Sequence, residues 1–274
     1  MTANDSPTDN ATAGQVRAPA ADWWRPGAAW LAKAWKSGLA LLYPPDCLRC
    51  EASLEVDWSG ARLCEKCRRE LCVAEPRCPQ CAAQVPAGNE KLPKCVRCRG
   101  RRWYWERVVA MGRYTGGLRS AVLRIKSGDE EPLAMALGEL MAESLADPLA
   151  SERLTAVVPI PLHWTRRWHH GGNSSEILAE SLAARLEAPL ASEGLLRVRA
   201  TPMLSEVTIP QRAENLRGAI VPSTDYDWRG AHVLLVDDVL TSGATTNEAA
   251  RVLKEAGAAR IVVAVLARAA KESL

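Results

Sequence analysis

The stretch HVLLVDDVLTSGATTNE, residues 232–248, places two adjacent acids between an apolar run and a loop of small and hydroxyl residues. The apolar run at 233–236 predicts a strand that is buried on both faces of a parallel sheet. We expect Asp237 and Asp238 at the carboxyl end of this strand, where such sheets bind their ligands. Thr245 and Glu248 form a capping-box pattern, which predicts a helix that begins at about residue 245.

The loop at 241–245 has the composition of a phosphate site. Backbone N–H groups at the start of a helix bind anions, and Gly243 lets the backbone approach closely. Two carboxylates would repel a phosphate, so Asp237 and Asp238 are expected to face sugar hydroxyls or a bridging divalent cation. The predicted ligand is therefore a sugar phosphate with free hydroxyls.

Strands and helices alternate from about residue 104 onward. Apolar periodicity predicts strands at 107–113, 155–160, 195–199, 232–237 and 260–267, and helices at 117–126, 133–146, 174–187 and 245–256. Alternation of this kind is typical of an α/β fold with a mainly parallel sheet and helices on both faces. We expect this domain to span residues 104–274.

The cysteines form a repeat ahead of that domain. Eight of the 9 cysteines lie in four C-x-x-C pairs, and the same spacing of pairs occurs in two consecutive units. Two pairs supply the four thiolates of a tetrahedral zinc site, so we predict a double zinc ribbon over residues 46–103. Its ligands are Cys47, Cys50, Cys64, Cys67, Cys78, Cys81, Cys95 and Cys98.

Both a sequential and a cross-braced pairing, in which the first C-x-x-C joins the third, satisfy this spacing. Redox C-x-x-C chemistry is the main rival to zinc, but it would not need four copies of the motif. Cys72 is left over, and we expect it to be a small apolar filler.

Charge is unevenly distributed along the chain. The formal net charge is +3, yet the cysteine-rich segment is basic and runs into RRWYWER, residues 101–107. Basic residues for phosphates and aromatic residues for base stacking are typical of proteins that bind single-stranded nucleic acid. The alternative is a solvated ribbon surface followed by an aromatic hinge. The cations expected on the solvent side are Arg68, Arg69, Lys91, Lys94, Arg97, Arg99, Arg101 and Arg102.

The N-terminal residues contribute little to the fold class. Residues 1–22 are polar and without the apolar stretch of a secretory signal, so we expect a disordered tail. Residues 23–45 have apolar side chains at helical spacing, which predicts an amphipathic helix and a linker. We expect the helix to pack on its own protein, with binding to a membrane surface as the alternative. The expectation for the whole chain is a cytoplasmic protein without stable membrane insertion.

The segment VLLVDDVLTSGAT resembles the signature of type I phosphoribosyltransferases for phosphoribosyl pyrophosphate (PRPP). Together with the two cysteine units ahead of it, the chain resembles the ComF family, which is linked to DNA uptake in competent bacteria. The resemblance runs from LLYPPDCLRC at residue 41 to LAR at 268. Further matching segments are YTGGLRSAVLRIKSGD (114–129), VVPIPLHWTRR (157–167), GGNSSEILAESLA (171–183) and RAENLRGA (212–219).

This resemblance implies a protein that binds PRPP with Mg²⁺ and transfers its ribosyl phosphate. It makes Asp237 and Asp238 the catalytic candidates, facing the ribose 2- and 3-hydroxyls. The 5-phosphate would be held by Thr241, Ser242, Gly243, Ala244 and Thr245. Lys126, Arg166 and Arg167 would face the pyrophosphate, with a cation at a helix end and a solvated loop as the alternatives. Arg212 and Asn215 would belong to a loop that closes over the site as a lid, with a structural role at the surface as the alternative.

The chain departs from the family pattern on the pyrophosphate side. The family commonly has Arg-Gly-Phe-Asn-Gln where this chain has His170-Gly171-Gly172-Asn173-Ser174, and Leu204 replaces a common Gln. These changes remove pyrophosphate contacts while the ribose-phosphate loop stays intact. The alternative hypothesis is therefore a non-catalytic zinc-ribbon adaptor for single-stranded DNA and DNA-uptake proteins, in which the transferase fold senses a nucleotide or serves as a scaffold. A salvage role without DNA is a third possibility, because this fold serves many pathways.

Overall fold

The computed structural model describes residues 46–55, 60–88, 95–128, 130–162, 173–199 and 215–270. The predicted tail (1–22) and amphipathic helix (23–45) lie outside the described residues, as do Arg166, Arg167, Leu204 and Arg212. The chain from Pro45 to Leu274 forms one compact unit. Within the described ranges, no helix combines the length and apolar character needed to cross a membrane.

The elements follow one another in the alternating order that the sequence predicts. They are α1 (Glu65–Leu71), β1 (Arg107–Arg113), α2 (Gly116–Lys126), α3 (Glu131–Leu149), β2 (Ala156–Pro159), α4 (Ser174–Leu186), β3 (Leu195–Arg197), β4 (Ile220–Pro222), β5 (His232–Leu240), α5 (Ala244–Glu255) and β6 (Arg260–Arg268). A 3₁₀ turn, Val96–Cys98, follows Cys95, the first cysteine of the fourth C-x-x-C pair.

The main sheet has the strand order β1-β6-β5-β2, and all of its pairings are parallel. The central strands β5 and β6 are buried on both faces, since alternate residues enter two different cores. Leu234 and Val236 face the core that α3 and α4 cover, whereas Val233 and Leu235 face the core that α5 covers. The predicted α/β class, with helices on both faces of a parallel sheet, is confirmed.

Two strands differ from the prediction. The segment expected as a strand at 195–199 is shorter, and β3 pairs antiparallel with β4 in a separate two-stranded sheet. The strand expected to stop at residue 237 continues to Leu240, because β6 is long enough to pair with it as far as Arg268. Asp237 and Asp238 therefore lie within the second half of β5, not beyond its end.

The two cysteine units lie against different parts of this fold. We call residues 46–71 ribbon 1 and residues 77–102 ribbon 2. Ribbon 1 packs on the side of the sheet that α3 and α4 cover, where Arg124 of α2 donates to the backbone carbonyls of Leu48 and Arg49. Ribbon 2 lies along the edge strand β1, where the amide of Val108 donates to the carbonyl of Pro79 at 3.0 Å.

Candidate functional site

The eight paired cysteines form two separate clusters in sequential pairing. Cys47, Cys50, Cys64 and Cys67 make one cluster, and Cys78, Cys81, Cys95 and Cys98 make the other. In each cluster all four sulfur atoms lie within 4.8 Å of one another. The structure thus decides between the two pairings that the spacing left open.

The sulfur geometry of both clusters fits zinc. The Sγ atoms of Cys50 and Cys64 are 3.6 Å apart, and those of Cys81 and Cys95 are 3.7 Å apart. Zn–S bonds of about 2.3 Å in a tetrahedron place the sulfurs about 3.8 Å apart, whereas a disulfide would need about 2.05 Å. Four thiolates at this spacing are the ligand set of a structural zinc site.

The sequence repeat is also a repeat of backbone geometry. In ribbon 1 the amide of Glu51 donates to the carbonyl of Cys47 at 2.8 Å, and in ribbon 2 the amide of Ala82 donates to that of Cys78 at the same distance. Glu51 and Ala82 both adopt the left-handed conformation, with φ of 63° and 52°. The same tight turn therefore presents the first C-x-x-C pair of each ribbon.

The acid pair of β5 lies beside the end of helix α2. Lys126, the last residue of α2, forms an ion pair with Asp238, with its Nζ 3.0 Å from Oδ2. Asp238 is buried, with 9% of the residue exposed, while Asp237 is half-buried. The structure thus brings together three residues that the sequence assigned to one site from segments more than a hundred positions apart.

Burial and the neighbouring carboxylate of Asp238 change the protonation of Asp237. Desolvation raises the pKa of Asp237, and the charge of Asp238 raises it further, to about 7. Lys126 acts in the opposite direction on that carboxyl. Desolvation lowers the pKa of Lys126, but attraction to Asp238 and Asp237 outweighs it, so that pKa lies above its usual value. Asp237 is therefore poised to gain or lose a proton near neutral pH.

Hydroxyl groups from two helix starts complete the surroundings of the acids. Ser174 donates to Oδ2 of Asp238 at 3.2 Å, and Ser175 and Thr246 contact the two oxygens of Asp237 at 3.4 Å. Asn173 is the N-cap of α4 and accepts from the amide of Ser175. The contacts of Ser174 and Ser175 with the acids were missed, because only the fold brings α4 against β5.

The loop after β5 leads directly into helix α5. Gly243 is the N-cap residue, with φ of +79°, and the helix begins at Ala244. The predicted capping box is wrong: the N-cap position is a glycine without a side chain, and Glu248 pairs with Arg251 and accepts from the amide of Gly218. At the helix start, the amide of Ala244 donates to the hydroxyl of Ser242 at 3.4 Å, so the loop places a hydroxyl group beside the N–H groups of the first turn.

The aromatic segment after ribbon 2 packs under this loop. Trp103 and Trp105 stack with ring centroids 4.5 Å apart, and a Cβ added at Gly243 would lie 3.1 Å from both rings. The side chain of Asn247 in α5 accepts from the amide of Tyr104 and donates to the carbonyl of Arg102. These contacts favour the alternative of an aromatic hinge, because Trp105 is buried and the half-buried Trp103 packs against the loop.

The remaining predicted residues have mixed positions. Arg97, Arg99, Arg101 and Arg102 are exposed as expected, with Arg101 over the ring of Trp103 and Arg102 over that of Tyr104. Arg68 is instead partly buried and ion-paired with Glu143. The backbone carbonyl of Asn215 accepts from Arg199 at 3.0 Å. Lys91 and Lys94, like Arg166, Arg167 and Arg212, are outside the described residues.

The ninth cysteine lies outside both clusters. The Sγ of Cys72 is 3.1 Å from the hydroxyl of Ser144 in α3. The side chain of Cys72 packs against the core that α3 and α4 cover. Burial raises the pKa of the Cys72 thiol. A thiol that stays protonated is a poor nucleophile and a poor metal ligand, which agrees with the predicted filler role.

Comparison with known proteins agrees with this architecture. A double zinc ribbon domain matches residues 38–99, and a phosphoribosyl transferase domain matches residues 173–274. DNA utilization protein YhgH of Salmonella typhi is 33% identical over 234 residues, which cover 83% of this chain and 99% of that protein. Competence protein F of Haemophilus influenzae is 28% identical over 229 residues, or 81% of this chain and 96% of that protein. Adenine phosphoribosyltransferase of Mycobacterium marinum is 31% identical over 105 residues, 36% of this chain and 54% of that protein.

Proposed function

The chain belongs to the ComF family, in which a double zinc ribbon precedes a phosphoribosyltransferase domain, and from this membership we propose that it binds PRPP together with Mg²⁺. The observation that carries the proposal is the juxtaposition of the acid pair with an open helix start. Asp237 and Asp238 lie within β5, and only a short loop separates that strand from α5. One ligand with hydroxyls at one end and a phosphate at the other suits both groups.

The acid pair is proposed to bind the ribose hydroxyls. A carboxylate accepts hydrogen bonds from two neighbouring hydroxyl groups, and such charge-assisted bonds are about twice as strong as neutral ones. Ser174, Ser175 and Thr246 hold the two carboxylates in place through the contacts described above. These oxygen donors are hard ligands that also suit Mg²⁺, which would neutralise charge on the pyrophosphate.

The loop after β5 is proposed to hold the 5-phosphate. The residues involved are Thr241, Ser242, Gly243, Ala244 and Thr245. The positive end of the α5 dipole and the N–H groups of its first turn, beside the hydroxyl of Ser242, favour an anion there. Gly243 adopts a left-handed conformation that other residues reach only with strain, so a glycine is needed for this loop shape.

Lys126 is proposed to face the pyrophosphate, together with Arg166 and Arg167. Its amine bonds to Asp238 in the free protein, so it is already next to the ribose site. In ribosyl transfer the bond from ribose C1 to pyrophosphate breaks and positive charge grows on the sugar, so fixed charges around it stabilise the transition state. Arg212 and Asn215 keep the proposed role of a lid. A cytoplasmic location and a cellular role in DNA uptake or nucleotide metabolism complete the proposal, and the relatives named DNA utilization protein and Competence protein F support its link to DNA.

A calorimetric titration of the zinc-loaded protein with PRPP in MgCl₂ tests the proposal. We expect binding that Asp237→Asn/Asp238→Asn weakens by about a hundredfold or more, since two charge-assisted interactions are lost. The matched control Asp225→Asn/Asp227→Asn removes two exposed carboxylates from another surface and should bind like the wild type. Absence of heat from a folded wild-type protein would contradict the proposal.

A second candidate function, a single-stranded DNA adaptor, is favoured by the exposed arginines of ribbon 2. Arg101 and Arg102 lie over aromatic rings and are exposed to solvent. Phosphate contacts of this kind bind DNA with a strong dependence on salt.

Fluorescence anisotropy with an oligo-dT probe at low and physiological salt measures the affinity for single-stranded DNA and its dependence on salt. Arg101→Met/Arg102→Met should reduce both the affinity and the salt slope, while Arg153→Met/Arg185→Met, which removes two exposed charges elsewhere, should not. No binding at low salt would exclude the adaptor.

A further inference from the structure

We propose that Arg268 is a positioning residue that couples the metal site of ribbon 2 to the phosphate loop, an inference that rests on the proposed binding of PRPP. Arg268 ends strand β6, and only 9% of it is exposed. Its Nε donates to the carbonyl oxygen of Cys81 at 2.8 Å. Its Nη1 donates to the carbonyl oxygens of Leu240 at 2.5 Å and Thr241 at 2.6 Å. One side chain therefore joins the backbone of a zinc-ligating cysteine to the peptides that open the loop.

The direction of these bonds sets the direction of the loop amides. In a planar trans peptide, the carbonyl of one residue and the N–H of the next point in opposite directions. Because Arg268 holds the carbonyls of Leu240 and Thr241, the N–H groups of Thr241 and Ser242 point away from it. These N–H groups belong to the loop proposed for the 5-phosphate. Arg268 thus orients phosphate donors without touching the ligand itself, which is how preorganised anion sites gain strength.

The chemistry of the side chain suits this task. A fourth bond runs from Nη1 to the carbonyl of Ala269 at 2.9 Å. All four acceptors of the Arg268 side chain are therefore backbone carbonyls. The rigid guanidinium fork reaches acceptors on two sides at once, whereas a lysine ammonium is a point charge on a flexible stem. Arg268→Lys therefore keeps the charge but loses the bridge between ribbon 2 and the loop.

The ribbon end of the bridge depends on the metal. Cys81 is one of the four sulfur ligands of the second cluster, so its carbonyl is held in position by the same turn that zinc closes. Trp103 adds an independent contact, since it packs both on the cysteine core of ribbon 2 and against Gly243. If zinc in ribbon 2 favours the phosphate-binding form of the loop, PRPP must favour zinc binding in ribbon 2 by the same factor.

The neighbouring arginine provides a matched control. Arg113 is the register partner of Arg268 on strand β1. It contacts Gln84 of ribbon 2 at 3.1 Å and Glu75, which precedes ribbon 2, at 3.3 Å, and both contacts are with side chains and not with the loop carbonyls. Arg113→Lys therefore perturbs ribbon 2 from the same end of the sheet and leaves the bridge intact.

The first test uses hydrogen exchange of the peptide covering residues 239–247 and needs no ligand. Loss of zinc from ribbon 2 through Cys98→Ser should speed the exchange of this peptide, and loss of zinc from ribbon 1 through Cys67→Ser should not. Arg268→Lys should speed it in zinc-loaded protein, with no further increase when Cys98→Ser is added. Unchanged exchange in the Cys98→Ser protein would overturn the proposal, whether or not the Arg268 variant folds.

The second test measures the coupling with PRPP. Arg268→Lys should weaken PRPP about tenfold, within the usual range of coupling between sites, while Arg113→Lys should stay within about twofold of the wild type. PRPP should also slow chelator-driven alkylation of Cys95 and Cys98, read at the peptide level, but not that of Cys64 and Cys67. This protection should disappear in Arg268→Lys, an effect that a purely structural role would not produce.

The two tests separate this inference from the proposed function. If wild-type protein binds no PRPP but its loop responds to zinc in ribbon 2, the proposed ligand is wrong and the positioning role stands. If PRPP binds and the two arginine variants behave alike in both tests, the positioning role is wrong and the ligand stands.

Discussion

Ribbon 1 and ribbon 2 have the same cysteine spacing and the same tight turn, yet they are stabilised in different ways. Ribbon 1 contributes Leu54, Leu63 and Leu71 to the core that lies between the sheet and helices α3 and α4. Ribbon 2 has a small core of its own, made of cysteines and Ala83 with Trp103 packed against it. An identical metal motif is therefore embedded in an apolar core in one case and rests on the loop proposed for the 5-phosphate in the other.

The two ribbons also support different halves of the candidate site. Ribbon 1 is bonded to α2, the helix that ends in Lys126, through the guanidinium of Arg124. Ribbon 2 is bonded to the phosphate loop through Arg268 and Trp103. Metal sites that look redundant in the sequence are thus expected to act on the pyrophosphate side and the phosphate side, respectively.

Loss of one zinc ligand in each ribbon should give the largest effect and the sharpest contrast. Cys67→Ser and Cys98→Ser each remove a buried sulfur, and each should lower the zinc content from two ions to one. Structural zinc contributes about 10–16 kcal/mol to the folding of isolated zinc-finger peptides, so a ribbon without another core should unfold locally. We expect complete loss of amide protection at 78–83 in Cys98→Ser and partial retention at 63–71 in Cys67→Ser.

Zinc analysis by mass spectrometry and peptide-level hydrogen exchange measure this contrast. Equal loss of protection in the two ribbons would show that the leucines of ribbon 1 add nothing to its stability.

A pair of glycine substitutions tests the packing of each ribbon separately. A Cβ at Gly112 would lie 2.5 Å from the backbone carbonyl of Leu71 in ribbon 1, and a Cβ at Gly243 would lie 3.1 Å from Trp103 and Trp105. Overpacking typically costs about 1–3 kcal/mol, so both alanine variants should be less stable. Only Gly243→Ala should weaken PRPP binding, because Gly112 is not part of the loop.

Gly218→Ala serves as the control for backbone strain, since Gly218 has φ of +70° and open space around its Cβ position. Thermal unfolding and calorimetry provide the measurements. A Gly243→Ala protein that binds PRPP like Gly218→Ala would argue against close packing between the aromatic rings and the loop.

The protonation of Asp237 gives a smaller, pH-dependent effect on the side of the site that ribbon 1 supports. Its pKa of about 7 in the folded protein lies above the ordinary value of 3.8. Between these two values the folded state holds one more proton than the unfolded state, so this group's contribution to stability falls as pH rises toward 7. Ribose binding needs the ionised form of Asp237. At pH values below 7, PRPP affinity should therefore increase by up to about tenfold for each unit by which the pH is raised.

Asp237→Asn should remove both trends, with a melting temperature that is less sensitive to pH between 5 and 8. Lys126→Met should move the midpoint of the binding profile to higher pH, because Lys126 lowers the pKa of Asp237. A wild-type binding profile that is flat across this range would contradict the assignment.

Substitution of the ninth cysteine should have the smallest effect. Cys72→Ala removes the contact with Ser144 but none of the eight zinc ligands. We expect two bound zinc ions, unchanged PRPP affinity and a loss of stability of about 1 kcal/mol, typical of a partly buried small residue. A fall in zinc content would mean that Cys72 exchanges with a ligand of ribbon 1.

Much of the architecture was predictable from local patterns. The cysteine spacing predicted two four-thiolate sites, and the alternation of apolar segments predicted the parallel α/β fold. The acid pair and the glycine loop were predictable as neighbours, because they are adjacent in the chain. Lys126 was assigned to the same site through its family resemblance, and its ion pair with Asp238 agrees with that assignment.

The tertiary structure decided which long-range partners these residues have. Sequence spacing was compatible with two cysteine pairings, and only the folded ribbons select the sequential one. Glu248 has the position of a capping residue in the sequence, but Arg251 and the amide of Gly218 are its partners in the fold. Periodicity reports which face of an element is buried, but it does not report what lies against that face.

The same limit explains the aromatic segment and Arg268. By composition, Trp103 and Trp105 fit a surface on which nucleic-acid bases stack. Only the structure shows that both rings pack against Gly243, with Trp105 buried and Trp103 half-buried. Arg268 follows an apolar strand and has no local signal of function, yet the parallel alignment of β5 and β6 places it against the first carbonyls of the loop. The sequence by itself determined the chemical groups and the elements that carry them. The packing of ribbon 2 on the sheet determined which of those groups act together, because side-chain contacts between distant segments form only after the core has aligned their backbones.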